Sequence, residues 1–185
     1  FIMVDRVSAD RTILWSRGTL RPLDPRAVDP ERVKTARGLL VDSLEPAAAL
    51  VAVRIAREAG VPVVIDAGTL REGVQALLPF CDHIVASEVF AGQIAPGGTI
   101  DDALEAIAAF RPRSAVVTLG ERGCATLAEG ERFDTPGFAV EAVDTTGAGD
   151  VFHGAWLHAV LEGWEARRAA VFSNAVAAMA CRELG

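Results

Sequence analysis

Four short runs of consecutive apolar residues, rich in valine and isoleucine, most constrain what this 185-residue chain can become. They occupy positions 38–42, 61–66, 83–86 and 115–119. A strand with one wet face alternates apolar and polar residues, whereas an unbroken apolar run needs cover on both faces, as in a parallel sheet. Helical segments lie between the runs. The segment 46–59 opens with Pro46, carries Leu50, Val51, Ile55 and Ala59 along one side and stops at Gly60. The segment 99–110 opens with Thr99 followed by Asp101 and Asp102, then places Leu104, Ile107 and Ala108 at helical spacing. Strands separated by helices predict an α/β fold, a mostly parallel central sheet with right-handed crossovers and flanking helices.

Beyond Leu119 the pattern changes to short segments at 124–127, 132–135 and 138–143, separated by Glu129-Gly130 and Pro136-Gly137. These predict antiparallel strands joined by turns. Two helices are expected at 148–162 and 165–184, hinged at Gly163-Trp164, the second crowded with alanine and so able to pack closely. Residues 1–15 stand apart, two apolar runs around a polar connection, and predict a small β hairpin.

The chemistry concentrates in Asp144-Thr145-Thr146-Gly147-Ala148-Gly149-Asp150, at the start of a long apolar helix. With no side chains at Gly147 and Gly149 and a methyl at Ala148, backbone N–H groups can approach an anion, which the positive end of the helix dipole favours. An acid beside a phosphate cradle is electrostatically costly, and a general base that takes a proton from an attacking hydroxyl gives it a purpose. The plain alternative is that Asp150 only complements the helix dipole.

This segment closely resembles the C-terminal signature of the PfkB, or ribokinase-like, family of ATP-dependent carbohydrate and nucleoside kinases. The resemblance implies that Asp150 is the catalytic base and that Gly147, Ala148 and Gly149 form an anion hole. It also implies that hairpin 1–15 is part of a lid over the sugar. Thr118-Leu119-Gly120-Glu121-Arg122-Gly123, at the end of an apolar run, resembles the family's nucleotide-lining turn. Alone it would read equally well as a turn that needs glycine for positive φ. Carried over by resemblance, the ATP-binding residues are Thr118, Gly120, Gly123 and Asn174, with Ser87 where many members have asparagine. Phe90 stands where those members carry the glutamate that organises magnesium hydration, and Glu88 reads equally well as a first-turn acid. Asp144, Thr146, Ala180 and Gly185 match positions of a monovalent-cation site, potassium being the expected ion; Asp144 otherwise reads as a loop-ordering acid.

The resemblance covers nearly the whole chain but about the last two thirds of a typical member, so the chain reads as one kinase domain lacking an N-terminal part and a short C-terminal tail. A net charge of −7 argues against nucleic acid or an anionic membrane as partner. Cys81, Cys124 and Cys181 show no CxxC spacing and read as reduced buried thiols. His153 and His158, five apart, fall on different helix faces and do not read as a metal pair. P-loop, Rossmann and nucleophile-elbow motifs are absent. The expectation is a cytoplasmic sugar kinase using ATP and Mg²⁺ on a ketose or ribose-like acceptor, the sulfofructose kinase branch included, and dimeric through the lid. A nucleoside kinase and a non-catalytic nucleotide-binding regulator on the same fold are the alternatives.

Overall fold

The computed structural model describes residues 2–4 and 11–183. Strands β1 (Ile2–Val4) and β2 (Arg11–Ile13) pair antiparallel, Met3 opposite Thr12, as the hairpin reading expects. The main sheet has six strands in sequence order: β3 (Leu39–Val41), β4 (Val63–Ala67), β5 (His83–Ser87), β6 (Ser114–Thr118), β7 (Cys124–Ala128) and β8 (Glu131–Thr135). Neighbours from β3 to β6 run parallel; β7 and β8 are added antiparallel.

The two-sided cover expected from the apolar runs is visible residue by residue. Val63, Ile65, Ile84, Ala86, Ala115 and Val117 face a core with Val53 of α2 (Pro46–Ala59), Phe90 of α3 (Glu88–Ile94) and Leu104 and Ile107 of α4 (Ile100–Ala108). The short α1 (Pro30–Lys34) packs outside α2. Val64, Val85 and Val116, one step along each strand, face the other side. There they meet Phe152, Trp156 and Ala159 of α5 (Ala148–Leu161) and Ala169 and Ala170 of α6 (Ala166–Ala180). Fully burying a side chain of this size stabilises by roughly 1.5–3 kcal/mol, so both faces contribute.

Local signals act as the sequence implies. Gly60 ends α2 in the left-handed region, at φ 71°, donating its N–H to Ala56 and Arg57 carbonyls. Thr99 and Asp102 form a reciprocal capping box at α4. The 46–59 helix is found at its expected bounds, and α5 and α6 break at Gly163-Trp164.

Two expectations are corrected. No strand forms at 138–143, where Phe138, Val140 and Val143 are exposed. Pro136 has no N–H to extend a ladder, and Gly137 is pressed against the Glu121 carbonyl, so the chain is diverted past the 120–122 turn instead of doubling back along β8. Helix α6 ends at Ala180 rather than 184, with the Cys181 carbonyl accepting the Val143 and Asp144 amides.

A latch joins the chain after the hairpin to the start of α2. Glu45, the residue before α2, accepts the Arg17 guanidinium at 2.5 Å on one oxygen and the Leu23 N–H at 2.9 Å on the other. That amide, and then Arg17, hold the Glu45 carboxyl below its ordinary range. Among the described residues no helix is long and apolar enough to cross a membrane.

At the opposite end of β5, His83 places Nδ1 2.7 Å from the Ser114 hydroxyl, and burial lowers its pKa to about 4. The unfolded chain, where histidine titrates near ~6.5, therefore binds more protons than the fold between those two values. Stability is expected to be complete above about pH 6.5 and to decline as pH falls toward 4. His83→Asn should flatten that decline, measured by urea unfolding of both proteins at pH 7.5 and 5; equal slopes would refute the assignment.

Candidate active site

The carboxyl ends of parallel strands are where an open α/β sheet leaves a crevice, and here the chain puts acids at two of them. Asp42 directly follows β3, and Asp66 is the fourth residue of β4. They line a cleft of about 240 Å³ with Leu40, Val41, Asp150 and His153, the last two from the first turns of α5. Sequence reading located Asp150 but assigned no role to Asp42 or Asp66. The available signal was an acid closing each of two apolar runs.

Gly147 turns the chain into α5 at φ 75° and no side chain caps the helix. A Cβ on Gly147 would stand 3.7 Å from Asp150 Oδ2, so this carboxylate folds back over the turn. The Ala148 N–H points at the Thr145 carbonyl at 3.3 Å, while the Gly149 and Asp150 N–H groups have no backbone acceptor among the described residues. Free amides at a helix N-terminus suit an anion. The Gly147 N–H also has no acceptor among the described residues, so of the three expected turn amides only that of Ala148 is engaged, and the Asp150 N–H stands beside the open ones.

The loop before them is ordered by Asp144, whose Oδ1 accepts the Thr146 N–H at 2.8 Å. The Cys181 contacts bring this loop to the carbonyl end of α6, next to Ala180. Gly185 lies outside the described residues. Asp66 is pushed up from its usual range by burial, pulled down by His153, and pushed up again by Asp150 and Asp42.

The second group of expected residues gathers at the ends of β5 and β6. Ser87 and Thr118 are register partners. The Ser87 hydroxyl donates to the Gly68 carbonyl at 2.7 Å and accepts the Phe90 N–H at 3.1 Å, capping α3. Thr118 Oγ1 donates to the Ala86 carbonyl at 3.3 Å. Glu88 pairs with Arg122 at 2.5 Å, tying α3 to the 118–123 turn, and Phe90 is wholly buried in the core. Gly120 opens to empty space, whereas a Cβ on Gly123 would fall 2.1 Å from the Thr135 carbonyl oxygen. Asn174, also buried, donates Nδ2 to the Thr135 and Pro136 carbonyls at 3.1 and 3.3 Å. Its amide nitrogen therefore braces the backbone against which Gly123 packs.

Although Asp42, Asp66, Asp150 and His153 line one cleft, among the described residues no three side chains of metal-ligating type are placed to hold one metal ion. The cysteines are all free, Cys81 and Cys124 buried and Cys181 only partly so.

The whole of residues 1–185 matches the family described as pfkB family carbohydrate kinase. The chain belongs to the pfkB family. Ribokinase of Haemophilus influenzae is 29% identical over 194 residues, covering 100% of this chain and 63% of that protein. An ATP-dependent ribose-1-phosphate kinase of Halopiger xanaduensis is 29% identical, covering 97% of this chain and 60% of that protein. The solved ribokinase of Thermotoga maritima superposes on all of this chain and 63% of its own, with a TM-score of 0.87 at 26% identity. The chain thus spans less than two thirds of the length of these pfkB relatives, and its sheet carries the ribokinase-like fold.

Gly123 is expected to be irreplaceable in this pfkB chain. At φ 90° and ψ −125°, with backbone on three sides, even a methyl group forces the turn off β8. Gly123→Ala should destabilise by at least about 1–3 kcal/mol, the scale of such backbone strain. Gly120→Ala, strained in φ but meeting no neighbour, should cost less. Urea unfolding of both variants checks the order, and equal losses would contradict it.

Proposed function

We propose that this chain is the catalytic part of an ATP-dependent kinase that phosphorylates a hydroxyl of a sugar, ribose-like or ketose. The observation that carries this reading is that the Asp150 carboxylate and the open amides of its helix turn share one cleft at the sheet's carboxyl edge. Asp150, exposed and without a cap to make, takes the proton of the acceptor hydroxyl. The oxygen attacks the γ-phosphorus in line, the bond to the ADP oxygen breaks, and the Gly149 and Asp150 amides, with the Gly147–Ala148 turn behind them, stabilise the charge that gathers. Like-charge repulsion between Asp150 and phosphate is offset by the helix's positive end.

The nucleotide lies, in this reading, along Thr118, Gly120 and Gly123. Ser87 and Asn174 hold the backbone beneath it, and the exposed apolar strip Phe138, Val140 and Val143 offers a surface for the base. A structure solved in complex with ATP and Mg²⁺ from Escherichia coli, 27% identical over 88% of this chain, supports that nucleotide and ion. The residues described do not fit a protein-built magnesium cage, because Glu88 is engaged by Arg122, Phe90 is apolar and no three side chains are placed to hold one ion. Mg²⁺ would therefore enter on the nucleotide's phosphates, where it neutralises their charge. Potassium at Asp144, Thr146 and Ala180, with Gly185, belongs to the same reading, supported by the closeness of that loop to the carbonyl end of α6. Pairing of two copies through the hairpin is supported by exposed Met3, Leu14 and Trp15, and a cytoplasmic setting by the free thiols. The named relatives act on sugars, which favours a sugar over a nucleoside.

Asp150→Asn decides between base and bystander. In the full-length polypeptide, kcat with ribose or a ketose as acceptor is expected to fall ~10²- to 10⁴-fold while nucleotide Kd holds or improves. A residue that only complements the helix dipole would instead lower stability by about 1 kcal/mol or less and leave kcat unchanged. Near wild-type kcat at saturating sugar would defeat the mechanism.

A further inference from the structure

His153 is a polar group that neither the motif nor the proposed mechanism uses, and its surroundings are chemically one-sided. The ring is buried, with 4% of the residue exposed. Nδ1 lies 2.5 Å from the Gly149 carbonyl oxygen, and Nε2 lies 3.2 Å from the Val85 carbonyl oxygen and 3.4 Å from Asp66 Oδ1. All three are acceptors. A neutral imidazole has one N–H and one lone pair, so it can satisfy only one side and must aim its lone pair at oxygen on the other. The imidazolium has two donors and satisfies both. The charged groups facing the ring repeat the preference: Asp66 from β4, Asp42 from the end of β3 and Asp150 from its own helix. The cleft lining holds no lysine or arginine.

We propose that His153 stands as an imidazolium, a buried cation that ties the first turn of α5 to β4 and β5 and so positions Asp150 and the open amides of the phosphate turn. Gly149 links the ring to the turn, since its carbonyl is held by His153 while its N–H has no backbone acceptor among the described residues. Asp66 supplies the counter-charge, and the pair carries one proton more than a carboxylate beside a neutral imidazole. Loss of that proton sets a lone pair against a carbonyl at 2.5 Å or against the Asp66 and Val85 oxygens. The turn then shifts, and a positive charge leaves a site that must receive phosphates. His153 is thus a positioning residue, and this inference rests on the kinase reading for its effect on rate but not for the ring's charge.

Two measurements on the full-length polypeptide test it. With ¹⁵N-histidine labelling, the ring assigned to His153 by its disappearance in His153→Gln should show both nitrogens protonated at pH 7. One protonated and one lone-pair nitrogen would overturn the proposal, whatever the enzyme's activity. In steady-state kinetics, His153→Gln should lower kcat about 10- to 100-fold, the scale of a misplaced catalytic group, with nucleotide KM little changed. It should also abolish an alkaline fall in kcat/KM that the natural protein shows. Should His153→Gln fail to fold, the ring of His153 is identified instead by its shift in Asp66→Asn. That variant should move the alkaline fall to lower pH, because the imidazolium loses its counter-charge. An alkaline fall unmoved in both variants refutes the positioning role; loss of all kinase activity in the natural protein would instead count against the functional reading, leaving the ring's charge to the spectra.

Discussion

The site depends on how α5 is seated. Its first turn can present amides to the cleft only if the helix axis is held across the carboxyl ends of β3 and β4, and that hold comes from burial further along. Phe152 and Trp156, ring planes 16° apart and centroids 6.1 Å apart, press into the face made by Val64, Val85 and Val116. Apolar contact fixes the body of the helix and the His153 ring adds the polar contacts to β4 and β5, which leaves the Gly149 and Asp150 amides of the first turn without an acceptor and available. A helix capped by a serine or aspartate would gain stability there and lose the anion site.

Much of this was legible in the sequence, for a physical reason. Unbroken apolar runs announce two covered faces, so the parallel strands and the two helices 46–59 and 99–110 between them could be read directly, whereas the strand order came only with the structure. The helix 46–59 was bounded by proline and glycine, both of which act locally. The missing strand at 138–143 shows the limit: its residues alternate plausibly, but a strand needs a partner edge, and the steric meeting of Gly137 with the Glu121 carbonyl lies in no local pattern. Site residues divide in the same way. Asp150 is marked by neighbours in sequence, whereas Asp42, Asp66 and His153 meet only because a sheet register and a helix cross. Asn174, expected beside the nucleotide by resemblance, has its Nδ2 bonded to the carbonyls of Thr135 and Pro136, partners that no local pattern names.

Electrostatically the cleft is unusual for one meant to receive phosphates, since three of its side chains are carboxylates. Backbone dipoles are a suitable answer, because amides carry no net charge to be cancelled by an ion pair with the acids, as that of a lysine would be. They also need no reorganisation when charge develops. Of the three acids Asp66 bears the mutual repulsion, its carboxyl raised by burial first and by Asp150 and Asp42 in addition, with His153 opposing them.

The Glu45 latch has a mechanical meaning. Because one carboxylate grips both the Arg17 side chain and the Leu23 backbone, the chain from 17 to 23 is tied at both ends to the start of helix α2. The same guanidinium lies 5.7 Å from the centre of the Trp15 ring, so the grip of Glu45 is felt to within two residues of the end of β2, and the hairpin and the start of α2 answer to one carboxylate.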